Sequence, residues 1–206
     1  MFGRWAVITT NSHDTLVEML EKNNGFITSA QVTKAGIQRR VLSELVTNGT
    51  VIYVMRGIYA LPTAWEDEMY FLQYRYSKGI FSNETALYLH ELTDRTPQSY
   101  TLTVPHKYHA PKMKNENIKI KFATERIYSI GIIEMSSPLG NPIRVYDKER
   151  TLCDIVKGSN SCDIQLVNQA MRNYATSTDK DMAKLFSYAE RLRVKAKILR
   201  YMEVLL

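Results

Sequence analysis

Cysteine is nearly absent from this chain: its 206 residues hold two, Cys153 and Cys162. So sparse a pair excludes a disulfide framework and fits a reducing compartment. No CxxC occurs, which excludes a cysteine-rich zinc site. No apolar run approaches the roughly eighteen residues that span a membrane. The opening ten residues carry too short an apolar stretch for a secretory signal. These absences lead us to expect a soluble cytoplasmic protein with no membrane partner. There is also no phosphate-cradling glycine loop and no nucleophile elbow. We therefore expect no cofactor and no catalytic residues.

What is present is enough hydrophobic sequence, 45%, to bury a real core. The length suits one large or two modest domains. The net charge of +6 favours polyanionic partners such as nucleic acid, but mildly.

Residues 12–24 read as a helix. Ser12 suits its start, Leu16, Met19 and Leu20 share one face, and Asn23, Asn24 and Gly25 supply the stop. Phe26 and Ile27 form a short extended pair. Thr28 or Ser29 then caps a second helix over 30–35, and Gly36 makes the tight turn that follows. A third helix covers 37–48, with Ile37, Val41, Leu42, Leu45 and Val46 as its apolar stripe. Residues 50–55 are rich in β-branched and aromatic types, Arg56 and Gly57 turn the chain, and 58–61 make a second strand. Helix, short strand, helix, turn, helix and hairpin is the order of a winged helix-turn-helix.

That fold places one helix in the major groove of DNA, where side chains near its amino end reach base edges. Arg39 and Arg40 suit guanine or phosphate, and Gln38 suits adenine. Ser43 and Thr47 suit phosphate, and Arg56 suits the backbone or minor groove. Over residues 34–56, Lys34, Arg39, Arg40 and Arg56 stand against Glu44 alone, a net of +3. The other reading also stands: winged helices dock proteins, and Arg40 is spaced to pair with Glu44 one turn on.

Residues 61–64 read as a linker, so the domains are set at 1–61 and 62–206. In the second, 66–77 reads as an aromatic helix and Ser82 as the cap of another. A β region over about 100–146 holds strands at 100–104, 118–122, 132–135 and 143–146. Helices fill 147–206, starting at Asp147, Asp163, about Asp179 and near Val194. The fold class is thus α+β: a winged helix followed by a mixed α/β domain with a helical tail.

His106 and His109 have His-x-x-His spacing but lie between Pro105 and Pro111, and nothing completes a ligand set, so no metal site is assigned. Lys107, Lys112, Lys114, Lys119, Lys121 and Arg126 outnumber Glu116 and Glu125, a net of +4 over 105–126. A second basic group is Arg191, Arg193, Lys195, Lys197 and Arg200. Each group is either a solvated face or a polyanion surface. Asp147, Glu149 and Asp154 fall on a cap and the first turns of a helix, where carboxylates suit the dipole.

Arg144, Tyr146, Glu149, Arg150, Thr151 and Asp154 together spell R-x-Y-x-x-E-R-T-x-x-D. This pattern resembles the signature of the AbiE-type abortive-infection antitoxins of type IV toxin–antitoxin systems. The Arg56–Gly57 turn followed by Leu61-Pro62, and the helical tail, resemble the same family. The resemblance implies a winged helix that binds inverted repeats in the promoter of its own operon and represses it. It also implies a carboxy-terminal domain that neutralises a cognate nucleotidyltransferase-like toxin, without requiring a stable complex. For the six signature residues, either a locked helix start or a contact surface fits. Two other functions stay open: a nucleic-acid-processing enzyme targeted by the winged helix, and a transcription regulator with a sensor domain.

Overall fold

The computed structural model describes residues 5–109, 117–157 and 162–205, with side chains from residue 12 onward. The chain divides into two compact units. One comprises Met1–Asp67 with Leu139–Asn141, the other Glu68–Pro138 with Pro142–Leu206.

The first unit runs α1 (Trp5–Lys22), β1 (Phe26–Thr28), α2 (Ser29–Lys34), α3 (Arg39–Thr47), β2 (Ile52–Met55) and β3 (Ile58–Ala60). Its sheet has the order β1-β3-β2, both pairings antiparallel. The helix expected from residue 12 starts seven residues earlier, at Trp5, so Ser12 lies inside α1 rather than capping it. Thr28 is the α2 cap: its hydroxyl accepts from the Gln31 N–H at 3.2 Å, while the Gln31 side chain accepts from the Thr28 N–H at 2.7 Å. Such a reciprocal box is worth about 1 kcal/mol. Gly36, at φ +73°, makes the turn into α3. Ile37 and Gln38 precede α3 rather than opening it, with Gln38 in the N-cap position. Ile37 still reaches the core that Leu16, Leu20, Val32, Val41 and Leu45 share.

The second unit runs α4 (Glu68–Arg75), β4 (Ile80–Phe81), α5 (Asn83–Leu89), β5 (Tyr100–Pro105), β6 (Ile118–Ala123) and α6 (Glu125–Tyr128). It continues with β7 (Ile132–Ser136), β8 (Pro142–Tyr146), α7 (Lys148–Ile155), α8 (Ile164–Thr176), α9 (Met182–Arg191) and α10 (Lys195–Leu205). The sheet order is β6-β5-β4-β8-β7. β5–β6 and β4–β8 are parallel, and β4–β5 and β7–β8 antiparallel. The central β4 has two residues, both fully buried, and the sequence reading omitted it. Two residues give no alternation, so only their burial between β5 and β8 marks them as strand. Its helices share a core including Leu152, Ile155, Met171, Tyr174, Leu185 and Ile198. α9 begins at Met182, capped by Asp181 rather than near Asp179. The protein is α+β, and no helix among the described residues is long and apolar enough to cross a membrane.

Candidate nucleic-acid interface

α3 divides its residues sharply. Val41, Leu42 and Leu45 are buried, whereas Arg39, Arg40, Ser43 and Thr47 are exposed. At about 100° per residue those four occupy one arc of roughly 100°. Gln38, also exposed, sits at the N-cap and its side chain makes no cap bond, which leaves the amide group facing outward at the helix start. Lys34 ends α2, exposed, and Arg56 is exposed in the two-residue turn between β2 and β3. Gly57 completes that turn at φ +86°, a conformation that favours glycine.

Two sets of contacts on this face bear on what it can offer DNA, and the first is the Arg40–Glu44 pair that their one-turn spacing suggested. Arg40 is engaged: its Nε lies 2.7 Å from Glu44 Oε1. His13 Nε2 approaches the other Glu44 oxygen at 3.3 Å. Hydrogen bonds from Arg40, then from His13, hold the Glu44 carboxyl below its ordinary range. The hydroxyl of Thr47 donates to the Ser43 carbonyl at 2.9 Å, and that of Ser43 to the Arg39 carbonyl at 3.4 Å. Donation to a phosphate requires each O–H to turn about its Cβ–O bond and give up its carbonyl. Among the described residues no side chain pairs with the Arg39 guanidinium.

The six signature residues form one corner of the second unit, where β8 turns into α7. Asp147 caps α7 by accepting from the Arg150 N–H at 2.9 Å. It also receives Lys184 Nζ at 2.9 Å and the Tyr188 hydroxyl at 3.3 Å. Glu149 accepts from the Tyr174 hydroxyl at 3.0 Å and pairs with Lys184 at 3.2 Å. Burial pulls the Lys184 ammonium down, but the two carboxylates more than reverse this and hold it above its ordinary value. Thr151 donates to the Tyr146 carbonyl, and the Tyr146 hydroxyl donates to the Tyr128 carbonyl at 2.9 Å. Arg144 donates its backbone N–H to Gln73 at 2.8 Å and its guanidinium to the Ser77 carbonyl. Tyr146, Glu149, Arg150 and Thr151 are buried. Between a locked helix start and a contact surface, this arrangement favours the locked start.

Burial pushes the Asp154 carboxyl up, although Arg150 Nε lies 3.0 Å away and opposes the shift. The sequence reading missed the partners of this corner, Lys184, Tyr174 and Tyr128, which come from other elements and carry no local signal.

Lys107, Lys119 and Lys121 are exposed, the last two on the same face of edge strand β6, while Lys112 and Lys114 lie outside the described residues. Arg191, Arg193, Lys197 and Arg200 are exposed too. Lys197 donates to the Val156 carbonyl at 2.8 Å, and Lys195 pairs loosely with Glu190 at 3.6 Å. Lys121 lines one cavity and Lys197 with Arg200 another. Both cysteines are free. The His106 ring lies beside that of Phe122, tilted 31° with centroids 6.1 Å apart, and among the described residues no three potential ligands converge as a metal site.

No protein-family model matches the chain, and no curated protein matches it. Among solved structures, the crystal structure of the RV2827C protein from Mycobacterium tuberculosis is similar over 94% of this chain and 81% of that one, with a TM-score of 0.45 and 12% identity.

Proposed function

We propose that the first unit is a winged helix-turn-helix that binds double-stranded DNA, with α3 in the major groove and Arg56 against the flanking backbone. One observation carries this reading: α3 buries Val41, Leu42 and Leu45 and turns Arg39, Arg40, Ser43 and Thr47 outward along one arc. Gln38 and Arg39 stand at the amino end of the helix, the end that reaches base edges in this docking mode. Lys34, Arg40 and Arg56 then suit phosphates, which position the protein without reading sequence.

The chain is, on this proposal, an autoregulatory repressor and antitoxin of the AbiE type. The DNA is the promoter of its own operon, and the second unit counters a cognate nucleotidyltransferase-like toxin. The support for the antitoxin half is the signature resemblance from Arg144 to Asp154. A fluorescence-anisotropy titration against DNA from upstream of the gene, with a scrambled duplex as control, tests the first half. The expected result is a salt-sensitive preference for the upstream DNA, with log affinity falling by about 0.9 per phosphate contact per decade of salt. Equal, weak binding to both duplexes overturns it. Co-expression with the neighbouring gene tests the second half: growth is restored if the pair is toxin and antitoxin, and unchanged if not.

A further inference from the structure

The cavity that Lys197 and Arg200 line is a groove of about 530 Å³ in the second unit, formed by α8, α10 and the end of α7. Each long helix gives it one flank. On α10 the lining residues are Lys197, Arg200, Tyr201, Val204 and Leu205, at spacings i, i+3, i+4, i+7 and i+8. On α8 they are Ile164, Val167, Asn168 and Arg172, at i, i+3, i+4 and i+8.

The groove is apolar where it is deep and remains apolar where it is open. Ile155, Val156 and Val167 line it and are buried. Val204 is 83% exposed and Ile164 61%, the two most exposed branched aliphatic side chains among the described residues. One exposed aliphatic is ordinary, but two on a single groove with a buried apolar lining mark an interaction surface.

Its charges all have one sign. Arg172, Lys197 and Arg200 line the groove, and no described lining residue is a carboxylate. Arg172 and Arg200 are exposed, and among the described residues neither guanidinium has a partner. Lys197 donates to the Val156 carbonyl at 2.8 Å, which leaves two N–H donors on its ammonium. The nearest carboxylates on these helices do not offset this charge. Glu203 lies about 130° around α10 from the middle of the groove flank. Asp163, at the α8 cap, is taken by Arg95 at 2.9 Å.

This combination selects its occupant. A nucleic acid brings phosphates over aliphatic side chains, where they lose hydration without a partner. A bilayer surface meets exposed side chains but does not reach a buried lining. An amphipathic helix does both: anchors one turn apart enter the groove while carboxylates beside them meet the cations. The flank of α10 from Lys197 to Leu205 rises about 12 Å, close to two turns of such a helix. We propose that the α8–α10 groove docks an acidic amphipathic helix of a partner protein, its apolar anchors against Ile164 and Val204 and its carboxylates on Arg172 and Arg200. The surface belongs to the second unit alone, so it stands or falls independently of the DNA-binding reading.

Fluorescence-anisotropy titration of the full chain against three labelled model peptides tests this. The first is an amphipathic helix of leucine and glutamate, the second has lysine for every glutamate, and the third has serine for every leucine. Physiological salt screens diffuse attraction to the net charge of +6. The leucine–glutamate peptide binds, and the other two bind at least about tenfold more weakly. Val204→Asp, at an exposed position, weakens it about tenfold while thermal melts stay like the parent's. Arg172→Glu combined with Arg200→Glu reverses the preference toward the lysine peptide, a result that loss of folding does not produce. Arg39→Ala leaves all three titrations unchanged, which separates the groove from the α3 face. No binding of the leucine–glutamate peptide at millimolar concentration overturns the proposal. So does equal affinity for the glutamate and lysine peptides, and so does parental affinity in both the Val204 and the double arginine variants. Phosphatidylglycerol vesicles that the parent binds and Val204→Asp does not would assign the groove to a membrane surface and overturn it too.

Discussion

The guanidinium carbon of Arg150 lies 4.1 Å from the ring centroid of Tyr146, four residues earlier in the chain and across the β8–α7 corner. A cation so deeply buried, 2% exposed, is stable only if every side of it is compensated. Here the ring covers one face, Asp154 takes Nε at 3.0 Å, and the carbonyls of Ile127 and Ile130 accept from Nη1 at 2.6 and 3.0 Å. The carbonyls come from the short segment that includes α6, so one arginine ties that segment to α7.

Removing one partner of such a pair is far worse than removing both. Asp154→Ala leaves the buried guanidinium without its counter-ion, held only by the two carbonyls and the ring, and costs about 3–5 kcal/mol. Arg150→Met combined with Asp154→Leu costs less than the single change, because no uncompensated charge remains. Urea unfolding of the two variants checks the order, and a single variant more stable than the double one contradicts it.

Arg40 and Glu44 set up a competition on the α3 face. In the free protein the Arg40 Nε is held by Glu44 at 2.7 Å, and a phosphate must displace that carboxylate to take the guanidinium. Glu44→Gln weakens the hold and removes a negative charge from the face. The expected result is tighter DNA binding, with the salt slope steeper by up to about one unit if Arg40 gains a phosphate contact. Anisotropy titrations at several salt concentrations measure both. Weaker binding by a folded Glu44→Gln protein would show that α3 does not meet DNA with this face.

His90 gives the second unit an acid-sensitive point. Its Nε2 lies 2.7 Å from the Tyr146 carbonyl. Burial lowers its pKa, an effect the carbonyl contact opposes without cancelling, and Lys148 adds to the lowering. In the unfolded chain the imidazole takes up its proton near pH 6.5. The folded state resists that proton, so the contribution of His90 is present above about pH 6.5 and is lost as the pH falls through the depressed folded value. Thermal melts from pH 7.5 to 5 are expected to fall for the parent and to fall less for His90→Gln, which keeps a donor but does not titrate. Parallel curves for the two proteins would assign the acid sensitivity elsewhere.

Local chemistry was legible in the sequence, and distant partnership was not. Asp163 caps α8 as its type and place suggest, because the cap and the N–H it serves are two residues apart. Leu166, Val167, Ala170 and Met171 make its buried stripe, whereas Ile164 in its first turn is 61% exposed. Ser12 had the type of a cap and the wrong place, since α1 begins at Trp5 and no glycine or proline lies between Trp5 and Ser12. The exposed arc of α3 was visible in its periodicity, whereas the reach of His13 to Glu44 from another helix was not. Lys121 was legible as a member of a basic group, yet its partner Asn83 is 38 positions away. That distance is why the pairing could not be read before the fold was known.

Gly131 is the tightest glycine beside the signature corner. It sits at φ +74°, and its carbonyl accepts from the Asp147 N–H at 2.8 Å. A Cβ there would stand 2.8 Å from the Arg150 Cβ and 3.0 Å from Asp147 Oδ1. Both atoms belong to the fixed start of α7, so neither can swing away as a flexible side-chain end would. Gly131→Ala therefore carries two penalties, the left-handed backbone and the collision, together at least about 2 kcal/mol. Gly49→Ala supplies the comparison: its φ is +77°, but nothing lies within 4 Å of the added carbon. That change carries the backbone penalty alone, about 1 kcal/mol. Native-state hydrogen exchange, read on the amides of each glycine's own unit, measures the two losses. Equal losses would mean that the β8–α7 corner yields to the methyl group, and that the packing of Arg150 against Gly131 is looser than its geometry shows.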